Sequence, residues 1–539
     1  MVASVAMAAC GDDDDAGSTE TSASGASGAT DATSAPSAGS SASTDVAVTG
    51  DSSAGATTTS GGDGSGTAPA GEGDPDASIV VGAVLEPTNL DIFRTAGAAL
   101  DQVLLDNVYE TLLSAPDPAV IEPGLAELPE VSEDGLTYTF TLQEGVTFHD
   151  GDPLTADDVV YSLDQFRAET GRGAELLASI DTVTAVDDTT VEVTLSERDN
   201  NLPFLMTRRT GAVVDDDAAD LENSAVGTGP FSFVEFDVGA SITLRRYDEY
   251  WGDPAGVAEV TFQYFTDPNA AVNAFTTGDV EILTGVNTDL VAPLQENPDY
   301  VVNEGVTNGE YTLAFNNERA PLDNRDVRQA IRQAIDKQGI VDLYNGYGTI
   351  IGAPVPPTDP WYEDLTDTAP FDPDAARALL EGAGVEEGTP LTLTIPNFYP
   401  TNGPEYIASQ LADVGLDVEI NVVEFPVWLE QVFTNADYDL SIVLHVEPRD
   451  IANYANPDYY YRYDNPDVQQ LIADAKTAET EEESVDLLRQ AARQIAEDSP
   501  ADWLILYSDL TVSTPDVTGY PTDDTASRFD ASNITVAPG

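Results

Sequence analysis

Almost all the chemistry open to this chain must come from carboxylates, because the usual nucleophiles and metal ligands are scarce. The 539 residues include two histidines, His149 and His445, and one cysteine, Cys10. One cysteine closes no disulfide within the chain, and these three residues build no Cys/His metal cluster. A carboxylate-only Ca²⁺ or Mg²⁺ site stays open on composition, but no D-x-D-x-D-G loop supports one, and neither a metal nor a cofactor is expected. No G-x-S-x-G elbow or H-E-x-x-H pair is present, and two histidines leave little scope for Ser/His catalysis. Carboxylate-pair glycoside hydrolysis stays open on composition, since acids abound. Gly227-Thr228-Gly229-Pro230 lacks the Lys of a phosphate loop and reads as a turn. His149 reads as a satisfied structural histidine.

The acids also set the long-range field. Asp plus Glu number 97 against 20 Lys plus Arg, a net charge of −77. Such a polyanion repels phosphate backbones and anionic membrane surfaces, so nucleic acid is not an expected partner. The acids are spread along the whole chain. That favours a solvated surface suited to a saline medium over a focused trap for cations.

Several elements must position these groups. Residues 1–10 end in Met7-Ala8-Ala9-Cys10, followed by Gly11 and the acid run Asp12–Asp15. Small residues before a lone Cys resemble the lipobox of bacterial lipoproteins. The apolar stretch is short and lacks a basic n-region, so residues 1–10 read as a truncated signal peptide in which Cys10 is the lipidation site. Residues 11–77 are rich in Ser, Thr, Gly and Asp without one aromatic or basic residue. Such a stretch cannot bury enough apolar surface to offset its ordering entropy, and it reads as a disordered linker. No later segment is apolar and long enough to span a bilayer. The expected location is outside the cytoplasm, tethered to the cell membrane by lipid.

From Ser78 on, strand and helix signals alternate, so the class is α/β. Strands are expected at Ser78–Leu85, Thr137–Leu142, Val191–Leu195, Ser241–Arg245, Val257–Phe265, Tyr311–Phe315, Leu391–Ile395, Val418–Val423 and Leu440–Leu444. Thr155-Ala156-Asp157-Asp158 reads as a capping-box start to a helix. Asp372-Pro373 and Asn465-Pro466 read as N-caps followed by Pro in the first turn. Val327, Ala330, Ile331, Ala334 and Ile335 define a buried helical face, with Arg325, Arg328 and Arg332 expected in solvent.

A series of ordered segments resembles the family 5 (oligopeptide/dipeptide type) solute-binding proteins of ABC importers. These segments are Glu86-Pro87-Thr88-Asn89-Leu90-Asp91, Asn107-Val108-Tyr109-Glu110-Thr111-Leu112, and Gly145-Val146-Thr147-Phe148-His149-Asp150-Gly151 running into Leu154-Thr155-Ala156-Asp157-Asp158-Val159. Gly227-Thr228-Gly229-Pro230-Phe231, Tyr250-Trp251-Gly252 and Pro321-Leu322-Asp323-Asn324-Arg325-Asp326-Val327-Arg328 follow. The resemblance covers roughly residues 79–520. It implies a two-lobed periplasmic-binding-protein-like fold, type II, in the large variant with an extra subdomain. Lobe I would take residues 78–305, with the subdomain at about 112–225. Lobe II would be 306–506, and 507–539 would return to lobe I.

The resemblance also implies capture of a peptide or similar small solute between closing lobes and delivery to a membrane permease complex, by a monomer that is not an enzyme. An acidic residue of lobe II would meet the ligand's amino group, and Asp450 sits at that place. Arg449 would neutralise Asp450 or bind a ligand carboxylate. Glu447 lies in the same loop, and His445 either faces the cleft or ends a buried strand. Thr95 and Gly97 fall where the family approaches ligand. Asn308 and Tyr311 fall at the first crossover, and Tyr507 at the second. Trp428 and Tyr459-Tyr460-Tyr461 would be aromatic walls or core. Opines and oligosaccharides stay open as ligands on the same scaffold. An exported hydrolase of peptides or glycans is the competing class.

Overall fold

The computed structural model describes residues 73–538, apart from 84, 96, 117, 119, 169, 398 and 526. Cys10 and nearly all of the 11–77 stretch lie outside the described residues.

Three sheets organise the rest. The first has seven strands, in the order Val301–Gly305, Asp509–Ser513, Ile282–Leu283, Ser78–Ala83, Glu259–Tyr264, Ser241–Arg246, Phe231–Asp237. Ser78–Ala83 lies inside the sheet, parallel to both neighbours, and its run Ile79-Val80-Val81 suits burial on two faces. Asp509–Ser513 inserts antiparallel between Val301–Gly305 and Ile282–Leu283, so this sheet draws on distant parts of the chain. The second sheet runs Thr349–Ile350, Ala501–Leu506, Glu310–Phe315, Leu440–His445, Thr389–Pro396, Leu416–Val423. All six residues of Glu310–Phe315, Leu440–His445 and Ala501–Leu506 are buried. The third sheet is antiparallel and four-stranded, Glu130–Val131, Thr137–Thr141, Thr190–Leu195 and Ile180–Asp187, and the helix Ala156–Arg167 packs on it.

The apolar cores follow the sheets. One unites the first and third sheets, and a small satellite lies under Ala271–Leu294. The other is built wholly from residues between Tyr311 and Leu506. The chain leaves the first sheet at Gly305 and enters the second at Glu310. It leaves the second at Leu506 and re-enters the first at Asp509. Two short crossovers, 306–309 and 507–508, therefore join two mixed α/β bodies with separate cores.

Local chemistry explains the element ends. Thr155 and Asp158 form a reciprocal capping box on Ala156–Arg167. Asp372 and Asn465 accept backbone N–H bonds at the starts of Pro373–Gly382 and Pro466–Lys476. Gly151 adopts φ +100° in the turn after Phe148, a conformation that suits glycine.

One expectation is corrected. Arg325 is exposed, but Arg328 and Arg332 are buried, with Arg332 only 1% exposed. Arg328 donates to the carbonyls of Leu322, Asp498 and Ser499. Arg332 donates to the Ala496 carbonyl at 2.7 Å and pairs with Asp502 at 3.2 Å. Both guanidinium groups thus cap the C-terminal end of the helix Glu481–Asp498, where unpaired carbonyls and the helix dipole favour a cation.

Candidate functional site

The acid-rich loop begins where Leu440–His445 ends. His445 lies opposite Glu310 in the antiparallel register. Its Nε2 meets the hydroxyls of Tyr460 at 2.9 Å and Tyr461 at 3.0 Å, and its Nδ1 lies 3.8 Å from Asp450 Oδ2. That last distance exceeds a hydrogen bond. Burial pushes the imidazole down to about 4, so His445 is a neutral, internally satisfied ring and gives Asp450 no countercharge.

Asp450 opens the turn Asp450–Ala455. Its side chain is 8% exposed, and Oδ1 is buried without a hydrogen-bond partner. Burial first, then Glu447 and Asp359, raise its carboxyl well above the usual range. Glu310 Oε1 and Asp359 Oδ2 are also buried and unpartnered. Burial and then Asp450 and Asp359 raise Glu310, and burial brings Asp359 to about 7 against the opposing pull of Arg449. Three raised carboxyls therefore stand on this body, Asp450 and Asp359 acting on Glu310 and Asp359 on Asp450, each with a buried oxygen that no donor meets. Such groups are stable only when they carry a proton or receive a cation.

Arg449 does not neutralise Asp450; among the described residues no ion pair joins them. It crosses to the other body, where Nη1 donates to Asn201 Oδ1 at 3.2 Å. Its guanidinium lies 3.7 Å from the ring centroid of Phe204 and 5.3 Å from that of Trp361. Nearby, Asn200 donates to the carbonyls of Ala475 and Ala478, and Lys476 pairs with Glu197 at 2.9 Å. The two bodies thus touch beside the acid loop.

Three cavities share lining residues, and two of them have walls on both bodies. One, on the first body alone, is bounded by Ala98, Thr284, Asp509, Asp524 and Arg528. A second shares Ala98, Asp509 and Asp524 and adds Asn308 and Tyr507. A third joins it through Asn308 and Thr525 and reaches Asp359, Arg208 and Arg449. Acids and arginines alternate along this cleft, and Asp509 is raised to about 7 by burial and by Asp524.

The other sequence candidates fall in varied places. Asn308 lines the cleft at the first crossover, its amide spanning Thr525 O and Thr358 Oγ1 at 2.6 Å each. Tyr507 lines it at the second crossover. Glu447 is half-buried and lies close enough to raise Asp450. Thr95 is buried with its hydroxyl on Asn89, and the Thr95 and Gly97 carbonyls accept from Arg209. Their neighbour Ala98 is the residue that reaches the cavity. Tyr311 sits in the second core against Tyr344 and Tyr399. Trp428 is core, not wall: it is fully buried, stacked on Phe425, with Nε1 donating to Ser441 Oγ at 2.9 Å. Tyr460 and Tyr461 are likewise buried, because they hold His445. Tyr459 is half-buried.

The sequence reading missed Glu310, Asp359, Asp509, Asp524 and Arg528. Glu310 carried a signal, an acid directly ahead of the apolar run Tyr311–Phe315. Asp523-Asp524 and Asp359 carried none, since one more Asp stands out little among 97 acids.

The motifs without ligand roles meet at a structural junction. Glu110 accepts from Thr228, Tyr250 and Trp251 at 2.7, 2.8 and 2.9 Å. His149 spans Gly229 O and Gly227 N. A Cβ at Gly227 would lie 2.0 Å from Val108 O, so the close approach of these segments requires glycine.

Residues 120–470 match the family model described as "Bacterial extracellular solute-binding proteins, family 5 Middle". The chain belongs to this family. Heme-binding protein A of Haemophilus influenzae is 27% identical over 455 residues, covering 74% of this chain and 81% of the relative. Di/tripeptide-binding protein 1 of Pseudomonas aeruginosa is 27% identical over 426 residues, covering 70% and 79%. The fold is that of the periplasmic binding protein DppA from Helicobacter pylori in complex with peptide STSA. The TM-score is 0.71 at 24% identity, over 86% of this chain and 98% of that one. No helix among the described residues of this solute-binding protein is long and apolar enough to cross a membrane.

Proposed function

We propose that this solute-binding protein captures short peptides with a free amino terminus and passes them unaltered to an ABC permease complex in the membrane. The buried, unpartnered oxygens of Asp450, Glu310 and Asp359 carry this reading. An ammonium group brought among them would supply the missing donors and the missing charge at once. Arg208, Arg449 and Arg528 line the cleft with Asp359, Asp509 and Asp524, which suits a ligand bearing both signs of charge. The two crossovers act as the hinge. In this reading residues 78–305 with 507–539 form one lobe, 306–506 form the other, and about 112–225 is the extra subdomain of the first. Arg449, Asn200 and Lys476 bridge the lobes when they close.

In this account Asp450, Glu447 and Arg449 lie on the ligand side, His445 orients the acid loop, and Asn308, Tyr507, Thr95 and Gly97 shape the cleft. Tyr311 and Trp428 support it from the core. The protein works as a monomer outside the cytoplasm, anchored through lipidated Cys10, and catalyses no reaction. A relative named for heme is as similar as one named for di- and tripeptides, so overall identity does not choose between ligands. His445, the histidine nearest the cleft, is held by two tyrosines, which favours the peptide reading.

The test is mass spectrometry of whatever co-purifies with the full chain from its native host. Unmodified short peptides are expected. A porphyrin, an opine or an oligosaccharide in stoichiometric amount would overturn the ligand assignment.

A further inference from the structure

A second acidic cluster lies outside the cleft, and none of its members lines a cavity described above. Asp150 and Asp152 project from the turn that Gly151 permits between Thr147 and Pro153. Asp215 and Asp216 follow the buried pair Val213-Val214, which is fixed by Ser162 of the helix Ala156–Arg167. One carboxylate oxygen from each of Asp150, Asp152 and Asp215 lies within 4.8 Å of the others. The same holds for Asp158, Asp215 and Asp216, so Asp215 belongs to both groups.

Hydrogen bonds within the loops use part of this set. Asp150 Oδ1 accepts from Asp152 N, Asp215 Oδ1 from Asp217 N, and Asp158 Oδ1 from Asp216 N. A separate observation points to a ligand. Asp215 is 3% exposed, and its Oδ2 is buried with no donor, while burial and then the like-charged Asp150 carboxyl beside it raise it. Among the described residues no arginine or lysine pairs with any of the five acids. Arginines elsewhere do pair with partly buried acids, as Arg209 does with Asp101.

We propose that Asp150, Asp152 and Asp215 bind one Ca²⁺ ion, with Asp158 and Asp216 adding to the negative field. The donors are all oxygens, which selects a hard cation. Two oxygens on opposite sides of Ca²⁺, each about 2.3–2.6 Å away, stand roughly 5 Å apart, so oxygens within 4.8 Å of one another lie close enough to share one ion. Mg²⁺ requires about 2.0–2.1 Å and a near-ideal octahedron, which three carboxylates from two loops match less well. The ion staples the turn at 150–152 to the loop at 215–216, beside the N-terminal end of Ala156–Arg167. This inference is independent of the peptide reading.

The test uses the full chain, stripped with chelator and held in 1 M NaCl so that diffuse binding to surface acids is screened. Calorimetric titration with CaCl₂ should show one saturable site. The thermal midpoint should rise with Ca²⁺ and much less with equal Mg²⁺. Asp215→Asn keeps the oxygen that accepts from Asp217 and should lose both effects. Asp150→Asn, at an exposed position, should weaken binding at least 10-fold and guards against misfolding of the first variant. Asp181→Asn, an exposed acid on a strand of the four-stranded sheet, should bind as wild type. Absence of a saturable site, wild-type binding by both cluster variants, an equal Mg²⁺ effect, or an equal loss in Asp181→Asn would each overturn the proposal.

Discussion

Asp359 lines the cleft, and with Asp450 and Glu310 it buries a carboxyl oxygen that no donor meets, so the proposed ligand preference follows from what these groups are missing. Replacing Asp450 by Asn keeps the shape and removes the charge. Affinity for a free-amine tripeptide should fall 10-fold or more, about 1.4 kcal/mol. Affinity for the N-acetylated peptide should barely change, and calorimetry of both peptides on both proteins distinguishes these outcomes. Protons add a second signature. Asp359 is raised to about 7, and Asp450 and Glu310 are raised as well. A carboxyl raised in the fold holds its proton more tightly there than in the unfolded chain. Its stabilisation is complete below the unfolded value, about 3.9, and is lost as pH rises through the folded value. The unliganded protein should therefore lose stability as pH rises from about 4 through about 7. Peptide affinity should rise over the same window, because an ammonium ion prefers the ionised acids. Asp359→Asn should flatten both slopes near pH 7, as read by urea midpoints and by proton release on binding.

At the scale of elements, the strand Ala501–Leu506 is tied to its helices by a buried polar knot. Asp502 is fully buried, and its Oδ1 meets Arg332 at 3.2 Å and Lys337 at 2.8 Å. Lys337 also donates to the carbonyls of Ile351 and Trp503. Removing one partner strands the others in a dry interior, so Asp502→Ala should cost about 3–5 kcal/mol of stability by urea denaturation. This knot shows what could be read in advance. The caps at Thr155, Asp372 and Asn465 were legible because partner and donor lie within three residues of each other. The burial of Arg328 and Arg332 was not, because their acceptors lie on elements 164–171 residues away, apart from Leu322 O and Gly352 O. The apolar spacing of that helix marked its buried face correctly but held no information about what would cover the rest.

For the molecule as a whole, the motif order was enough to indicate α/β architecture and the family. The acids that furnish the cleft were not visible as a group. Glu310, Asp359 and Asp450 are far apart in sequence on one body, and Asp524 faces the cleft from the other, beyond the second crossover. The charge of −77 acts on every part of this assembly. Screening lengths fall from about 30 Å at 0.01 M salt to about 3 Å at 1 M, so self-repulsion weakens steeply over that range. The thermal midpoint should climb as NaCl is raised, and a curve flat across the range would remove repulsion as a determinant of stability.

The contacts of Arg449, Asn200 and Lys476 join the two bodies around the cleft, and in this account a bound peptide holds them together. Small-angle X-ray scattering of the monodisperse full chain, with and without a saturating free-amine peptide, tests that most directly. The radius of gyration should shrink on binding, because the peptide favours the closed arrangement over a more open unliganded one. An unchanged radius, with occupancy verified in the same sample, would contradict capture by closing lobes.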